Sequence, residues 1–414
     1  MTQQIDLGNG VPKKWRVMRL KGFSQTIKGK SVDYLESPVI GSHVVLTLET
    51  LRTENPPFLN YAICDDPEQL CKSGDIIVIW DGAGVGEFLR AKEGLISSTT
   101  AKVVLDSNII DPRFFWYFGD RIDEVMKHMP TGMGVPHLDP NIWANLEFAI
   151  PPLAEQCHIA DYLDEKISSI DFYISGRENE LKLLKLFKQS RINEVVVRGL
   201  KRDAEFIECG IDWLGIIPRH WRVRRIKDIF YESTELTSEG NEDLLSVSEY
   251  YGVAKRKERM DDDEEFESRA ESLEGYKICH KGDLVSNIML TWKRALGVSE
   301  YDGIVSPAYG VYRGIDIFPK YYHYLFRSDM YIAEFKRNST GIIDSRLRLY
   351  SDKFFSIHTI YPPLSEQEEI ANYLDEECEK IDRKYALIEE QIKQLQLLKR
   401  ALINEVVTGK RKIA

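Results

Sequence analysis

Apolar residues recur in alternating steps of four and three along residues 361–409, at Leu374, Cys378, Ile381, Tyr385, Ile388, Ile392 and Leu395. That spacing is the seam of a coiled coil, where residues of this period face a partner helix. Pro362 and Pro363 precede the stretch, Ser365 and Glu368 have the spacing of a capping box, and Gly409 follows the last periodic residue. These signals predict one helix of about 44 residues, roughly 65 Å long at 1.5 Å per residue. The same pattern runs through residues 151–199, with Leu163, Ile167, Ile170, Ile174, Leu181 and Leu184 on its seam. Pro151 and Pro362 lie 211 residues apart, and so do Tyr162 and Tyr373, Asp171 and Asp382, Leu184 and Leu395, and Asn193 and Asn404. About half of the aligned positions are identical, with no gap. The chain therefore carries one rod twice.

The duplication reaches beyond the rods. PKKWRVMR at 12–19 and PRHWRVRR at 218–225 share an offset of 206, so each rod follows a head of its own. In the first head, residues 44–48, 75–80 and 102–105 read as strands by their apolar and β-branched content; in the second, 244–247, 283–288 and 311–313 do. Aromatic helices are predicted at 112–126 and 319–335. The heads share only a skeleton: Gly74-Asp75 against Gly282-Asp283, Gly94 against Gly303, and Thr131-Gly132 against Thr340-Gly341. Like rods face one thing twice, whereas unlike heads face two different things.

The expected architecture is α+β: two mixed α/β heads separated by a long antiparallel two-helix coiled coil, with a pseudo-two-fold internal duplication. Its expected boundaries are residues 1–150, 151–199, 200–361 and 362–414. Antiparallel rods are expected because parallel ones would require the second head to carry the chain back the full rod length. The C-terminus is then expected to return to the first head.

Length and composition narrow the class. A chain of 414 residues, 43% hydrophobic and 29% charged, reads as a multidomain soluble protein. No apolar run reaches membrane-spanning length, MTQQIDLGNG holds no leader-like apolar core, and six scattered cysteines suit a reducing compartment, so a cytoplasmic location is expected. The formal net charge of −11 opposes nucleic-acid binding by the chain as a whole, because phosphate contacts need local positive charge.

Two stretches carry the look of catalysis. Asn55-Pro56-Pro57-Phe58 matches the NPPF of amino-methyltransferases acting on adenine, and DGAGVG at 81–86 follows a predicted strand as a nucleotide-cofactor loop does. Only about 25 residues separate them, too few for the βαβ units that belong between. The glycines are followed by too little helix before Gly94, and the second head lacks both motifs. Turn and loop are the expected readings. Metal-ligand spacings and a phosphate-binding GxxxxGK[ST] are absent from the sequence, so no catalytic residue and no metal site is expected.

Cations gather in both heads. The candidate nucleic-acid contacts are Arg90, Lys92, Lys102, Thr131, Gly132 and His137 in the first head. In the second they are Lys255, Arg256, Lys293, Arg294, Thr340, Gly341, Arg346 and Arg348. The Thr-Gly loops at 131–135 and 340–343, with His137 and Arg346 beside them, are the preferred base-reading loops.

PPLAEQ followed by IADYLDEKISSID, and PPLSEQEEIANYLDEECEKID, each leading into a heptad helix that ends in INEVV, resemble the two central repeats of type I restriction–modification specificity subunits. Val11-Pro12 with Trp15, and Ile217-Pro218 with Trp221, are similar to that family's opening of each recognition domain. The resemblance implies a non-catalytic subunit whose two target recognition domains each read one half of a bipartite, asymmetric site in double-stranded DNA. It implies helices that set the spacing and dock two copies of an adenine methyltransferase subunit. It also implies ATP-dependent restriction subunits, with S-adenosylmethionine and ATP used by the partners and no cofactor in this chain. Half-sites on one face of B-DNA lie about 34–36 Å apart, within reach of a rod of the expected length. The acidic balance then requires part of the phosphate neutralisation to come from the partners. The alternative is a coiled-coil scaffold with two protein-binding heads and no DNA; a stand-alone adenine methyltransferase using the NPPF stretch is a further one.

Overall fold

The computed structural model describes residues 12–82, 84–127, 137–201, 203–255 and 273–413. The chain divides into two compact units, Met1–Arg177 with Glu390–Ala414, and Glu178–Glu389. Each unit combines one head with a segment of both long helices. The cut falls within the helices because the end of each is part of a head's core.

The first unit opens with β1 (Arg16–Arg19), β2 (Ser24–Lys28), β3 (Ser42–Leu46), the short α1 (Leu48–Arg52), β4 (Tyr61–Ile63), β5 (Leu70–Cys71), β6 (Ile76–Ile79), β7 (Phe88–Arg90), β8 (Gly94–Ile96) and β9 (Thr100–Leu105). Then come α2 (Pro112–Lys127), α3 (Pro140–Asn145), β10 (Glu147–Ile150) and the long α4 (Leu153–Arg198). One sheet runs in the order β2-β9-β6-β7 and another in the order β4-β3-β8-β5, with β3 and β8 parallel. β1 pairs antiparallel with β10, Arg16 opposite Ile150, which brings the start of the head to the foot of α4.

The second unit repeats this plan through β11 (Phe206–Glu208), β12 (Ile216–Pro218), β13 (Arg222–Arg225), β14 (Phe230–Glu232), β15 (Leu245–Ser248), β16 (Gly252–Lys255), β17 (Lys277–Cys279), β18 (Leu284–Asn287), β19 (Leu296–Val298), β20 (Gly303–Val305) and β21 (Tyr309–Gly314). α5 (Pro319–Phe326), α6 (Asp329–Asn338), α7 (Ser351–Ser356), β22 (His358–Tyr361) and the long α8 (Leu364–Val407) follow. The sheet β14-β21-β18-β19 matches β2-β9-β6-β7, and β13 with β22 matches β1 with β10. The parallel bridge Leu244–Ile304 stands where β3 meets β8. Heads of unlike sequence thus share one topology. The predicted helix over 319–335 is broken at Arg327-Ser328, where the Arg327 guanidinium donates to the carbonyls of Arg294 and Leu296 at 2.5 and 2.7 Å and of Glu249 at 3.0 Å.

The same contacts fix the helices to the heads in both units. The indole Nε1 of Trp15 donates to Glu155 at 3.0 Å, and that of Trp221 to Glu366 at 2.9 Å. Tyr117 donates to Asp164 at 2.5 Å, and Tyr324 to Asp375 at 2.7 Å. Buried Gln156 accepts the Asp111 N–H at 2.8 Å and donates to the carbonyls of Ile109 and Pro151 at 2.9 Å each. Buried Gln367 accepts the Phe318 N–H at 2.9 Å and donates to the Pro362 carbonyl at 2.8 Å.

Within each unit the two helix segments run antiparallel. In the first, Ile159, Ala160 and Leu163 share a core with Leu402, Ile403, Val406 and Val407, and Lys399 pairs with Asp171 at 2.6 Å. In the second, Lys188 pairs with Asp382 at 2.6 Å, Lys384 with Glu180 at 2.9 Å, and Arg191 donates to the Tyr373 hydroxyl at 2.7 Å. The C-terminal end of α8 therefore lies in the first head's core. Of the seam residues, Leu163, Ile167, Leu374, Cys378, Ile381 and Ile388 are buried. Ile170, Ile174, Leu181, Leu184, Tyr385, Ile392 and Leu395 are half-buried.

The helix starts differ from the expected capping box. α8 begins at Leu364, so Ser365 lies inside its first turn, and the Pro363 carbonyl accepts from Glu366 and Gln367 at 2.9 and 3.0 Å. Pro152 does the same for Glu155 and Gln156. Both helices end in a left-handed glycine, φ +72° at Gly199 and at Gly409. A Cβ on Gly409 would lie 2.7 Å from the Pro12 ring and 3.2 Å from Trp15; one on Gly199 would lie 3.1 Å from Trp221.

Candidate nucleic-acid interface

In both heads the loop after the central strand is tied to a second, more distant loop. The Leu138 N–H donates to the carbonyl of Trp80, the first residue after β6, at 2.9 Å. The Leu349 N–H donates to that of Ile288, the first residue after β18, also at 2.9 Å. Leu138 and Leu349 are 211 residues apart, so the contact is part of the repeat. The topology thus gathers two loops at one edge of each head.

In the first head this edge carries Asp81, His137 and Lys28. His137 Nδ1 is 2.6 Å from one Asp81 oxygen, and the Lys28 ammonium is 2.8 Å from the other. Burial pushes the Asp81 carboxyl up, but the hydrogen bonds from His137 and Lys28 outweigh it and hold the group below the usual carboxylate range. Thr131 and Gly132 lie outside the described residues. Three candidate cations are turned to the head itself. Arg90 lies over the Trp116 ring at 4.2 Å and donates to the Gly74 carbonyl at 3.0 Å; Lys92 donates to the Thr53 carbonyl at 2.6 Å, and Lys102 to the Leu70 carbonyl at 2.7 Å. Residues 84–86 of the DGAGVG stretch lead through Glu87 into β7, antiparallel to β6, as a strand connection does and a helix-capped cofactor loop does not. Phe58 of the NPPF stretch is 81% exposed between β3 and β4, and Tyr250 is 80% exposed on the corresponding connection between β15 and β16.

The second head brings more of its candidates together. Trp292 lies between two lysines, Lys293 at 5.1 Å and Lys336 at 4.8 Å from its ring centre. Arg294 holds a left-handed backbone, φ 68°, donates to the Arg327 carbonyl at 3.1 Å and pairs with Asp329. Thr340 and Arg348 exchange backbone hydrogen bonds of 2.9 Å and close the loop between them. Gly341 is needed there, because a Cβ would lie 2.6 Å from the Arg346 carbonyl. The Arg348 guanidinium donates to the carbonyls of Leu347 and Ser345 at 2.8 and 3.3 Å, so it braces the loop. Arg346 is exposed and turned outward. Lys255 pairs with Asp243 at 2.8 Å and lies over the Tyr301 ring, away from this group; Arg256 lies outside the described residues.

Reading cations by type missed Trp292 and Lys336, and of the 340–343 loop it singled out Thr340 and Gly341 but not Ile342 and Ile343. The adjoining isoleucines in an otherwise polar stretch were the available signal. Among the described residues no group of three His, Cys, Asp or Glu side chains is placed to hold a metal, and no helix is long and apolar enough to cross a membrane.

Residues 12–183 match the family described as the Type I restriction modification DNA specificity domain. The Type I restriction enzyme MjaVIII specificity subunit of Methanocaldococcus jannaschii is 28% identical over 223 residues, 54% of this chain and 50% of that protein. The Type I restriction enzyme EcoBI specificity subunit of Escherichia coli is 25% identical over 151 residues, 36% of this chain and 32% of that one. The matches thus span half or less of these curated relatives. Two solved structures share the fold at 15% identity each. One is a chain described under "Structural basis underlying complex assembly and conformational transition of the type I R-M system", with a TM-score of 0.67 over 97% of this chain and 99% of that one. The other is the HsdS subunit from Thermoanaerobacter tengcongensis, with a TM-score of 0.52 over 98% and 100%. Residues 12–183 thus match the type I restriction–modification specificity domain, and the whole chain shares its fold with solved structures from type I systems.

Proposed function

We propose that this chain is the non-catalytic DNA-reading subunit of a restriction–modification complex in the cytoplasm. Each head reads one half of a bipartite, asymmetric site in double-stranded DNA, and the long helices set the gap between the halves. The observation that carries this reading is a repeated scaffold with unrepeated edges. The same Trp–Glu, Tyr–Asp and Gln contacts hold both heads, yet the two-loop edge presents Asp81, Lys28 and His137 in one and Trp292, Lys293 and Arg346 in the other. Unlike edges on a like frame suit two unlike half-sites.

The helices dock two copies of an adenine methyltransferase subunit that uses S-adenosylmethionine, and restriction subunits that use ATP join that core. Exposed Leu186 and Phe187 of the second unit recur 211 residues later as exposed Leu397 and Leu398 of the first, which supports one partner bound twice. This chain supplies no cofactor site. With a net charge of −11, it leaves much of the phosphate neutralisation to its partners, while its heads supply base contacts.

The test is an electrophoretic shift on duplex DNA with the chain alone and with its methyltransferase subunit. The reading expects weak binding alone and tight, salt-sensitive, sequence-specific binding together. Tight specific binding by the chain alone would contradict the division of labour. A complex that assembles without binding DNA would leave the scaffold reading in its place.

A further inference from the structure

We infer that the Ile342–Ile343 tip of the second head reads thymine 5-methyl groups in the major groove of its half-site; this rests on the DNA-reading function proposed above. Ile342 is 96% exposed and Ile343 54%. Leaving an isoleucine in water forgoes an apolar contact, and two adjacent ones at a loop tip form a contact surface awaiting an apolar partner.

The tip is held, not trailing. The Thr340–Arg348 backbone pair closes the loop, the Arg348 guanidinium binds two of its carbonyls, and Lys336 ties Asp344 at 2.9 Å. Around the tip stand cations: Arg346, exposed and with no side-chain partner among the described residues, and Lys293 and Lys336 on the Trp292 ring. An apolar point with a cationic rim complements a duplex groove, where phosphates line the edges. Isoleucine makes no hydrogen bond, so of the base edges displayed in the major groove only the thymine methyl offers it a favourable contact.

The experiment uses the chain assembled with its methyltransferase subunit and duplexes carrying the site that the assembly modifies. Each thymine of the second head's half-site is replaced in turn by deoxyuridine, which removes only the methyl group. The expected result is a loss of about fourfold to tenfold in affinity at one or two positions, the scale of a buried methyl. Ile342→Ser with Ile343→Ser should bind the thymine and uridine duplexes equally, at the weaker affinity, with an unchanged melting temperature. Ile342→Val should still discriminate. Equal binding of thymine and uridine at every position by the unsubstituted chain overturns the inference, and so does discrimination that survives the double serine variant. Both leave the function standing, whereas an assembly that binds no specific site removes the function and the inference together.

Discussion

Replacing Gln156 or Gln367 by leucine tests how the heads are held on the helices. Each glutamine is buried at the foot of a long helix and satisfies backbone groups that no strand or helix can reach. Gln156→Leu orphans the Asp111 N–H and the carbonyls of Ile109 and Pro151; Gln367→Leu orphans the Phe318 N–H and the Pro362 carbonyl. A buried polar group left unpaired costs about 1–3 kcal/mol. Leucine, of similar volume, recovers about 1.5–3 kcal/mol by apolar burial. At the middle of these ranges the balance predicts a loss of about 4 kcal/mol for Gln156→Leu, which orphans three groups, and about 2 kcal/mol for Gln367→Leu, which orphans two. Hydrogen exchange read by mass spectrometry separates the two. The first variant should lose protection around residues 109–118 and the second around 316–326, each sparing the other unit. Stability within about 0.5 kcal/mol of the parent, or loss of protection spread equally over both heads, would refute the reasoning.

Three further outcomes follow from the same geometry. Gly409→Ala places a Cβ on a left-handed backbone and against Pro12, and should cost about 1–3 kcal/mol, measured by thermal melting and by exchange at residues 402–407. Burial, aided by the Arg327 and Lys320 cations, lowers the His323 imidazole to about 3, and its Nδ1 accepts the Val298 N–H at 3.2 Å. Below the ordinary value of 6.5 the unfolded chain takes up a proton that the folded chain refuses, so stability falls with pH; a loss of about 1.4 kcal/mol is expected at pH 5.5. In His323→Asn that slope should flatten in denaturant melts run between pH 7 and 5.5. Arg346→Ala, which removes a rim cation, should weaken DNA binding by the assembled complex about equally across sequences and lower its salt dependence by about one phosphate contact, with little change in melting. Arg348→Ala should instead speed exchange over 340–348, since its guanidinium binds its own loop.

The rods were legible because their signals are local. The four-three spacing, the paired prolines and the closing glycines lie within one helix each, and the 211-residue offset exposed the repeat. The sheet pairings of the heads were less so, because β2 finds β9 and β14 finds β21 across many residues. The meeting of Leu138 with Trp80 and of Leu349 with Ile288 has no sequence mark at all. Cations read by type were misleading for a physical reason. A long side chain such as Lys102 or Arg90 turns to a carbonyl or an aromatic face when one lies in reach, and composition does not record reach. Ser365 failed as a cap because the Pro363 carbonyl, two residues earlier, already begins the helix.

The central claim is that this chain chooses the DNA sequence that its partners modify. The most direct measurement is a genome-wide map of methylated adenines in cells with and without the chain, repeated with residues 1–150 exchanged for the first head of a type I specificity subunit. The account predicts a bipartite motif that appears only with the chain, and one half of it alone changing on exchange. An unchanged methylation map, or an exchange that alters both halves together, would contradict it.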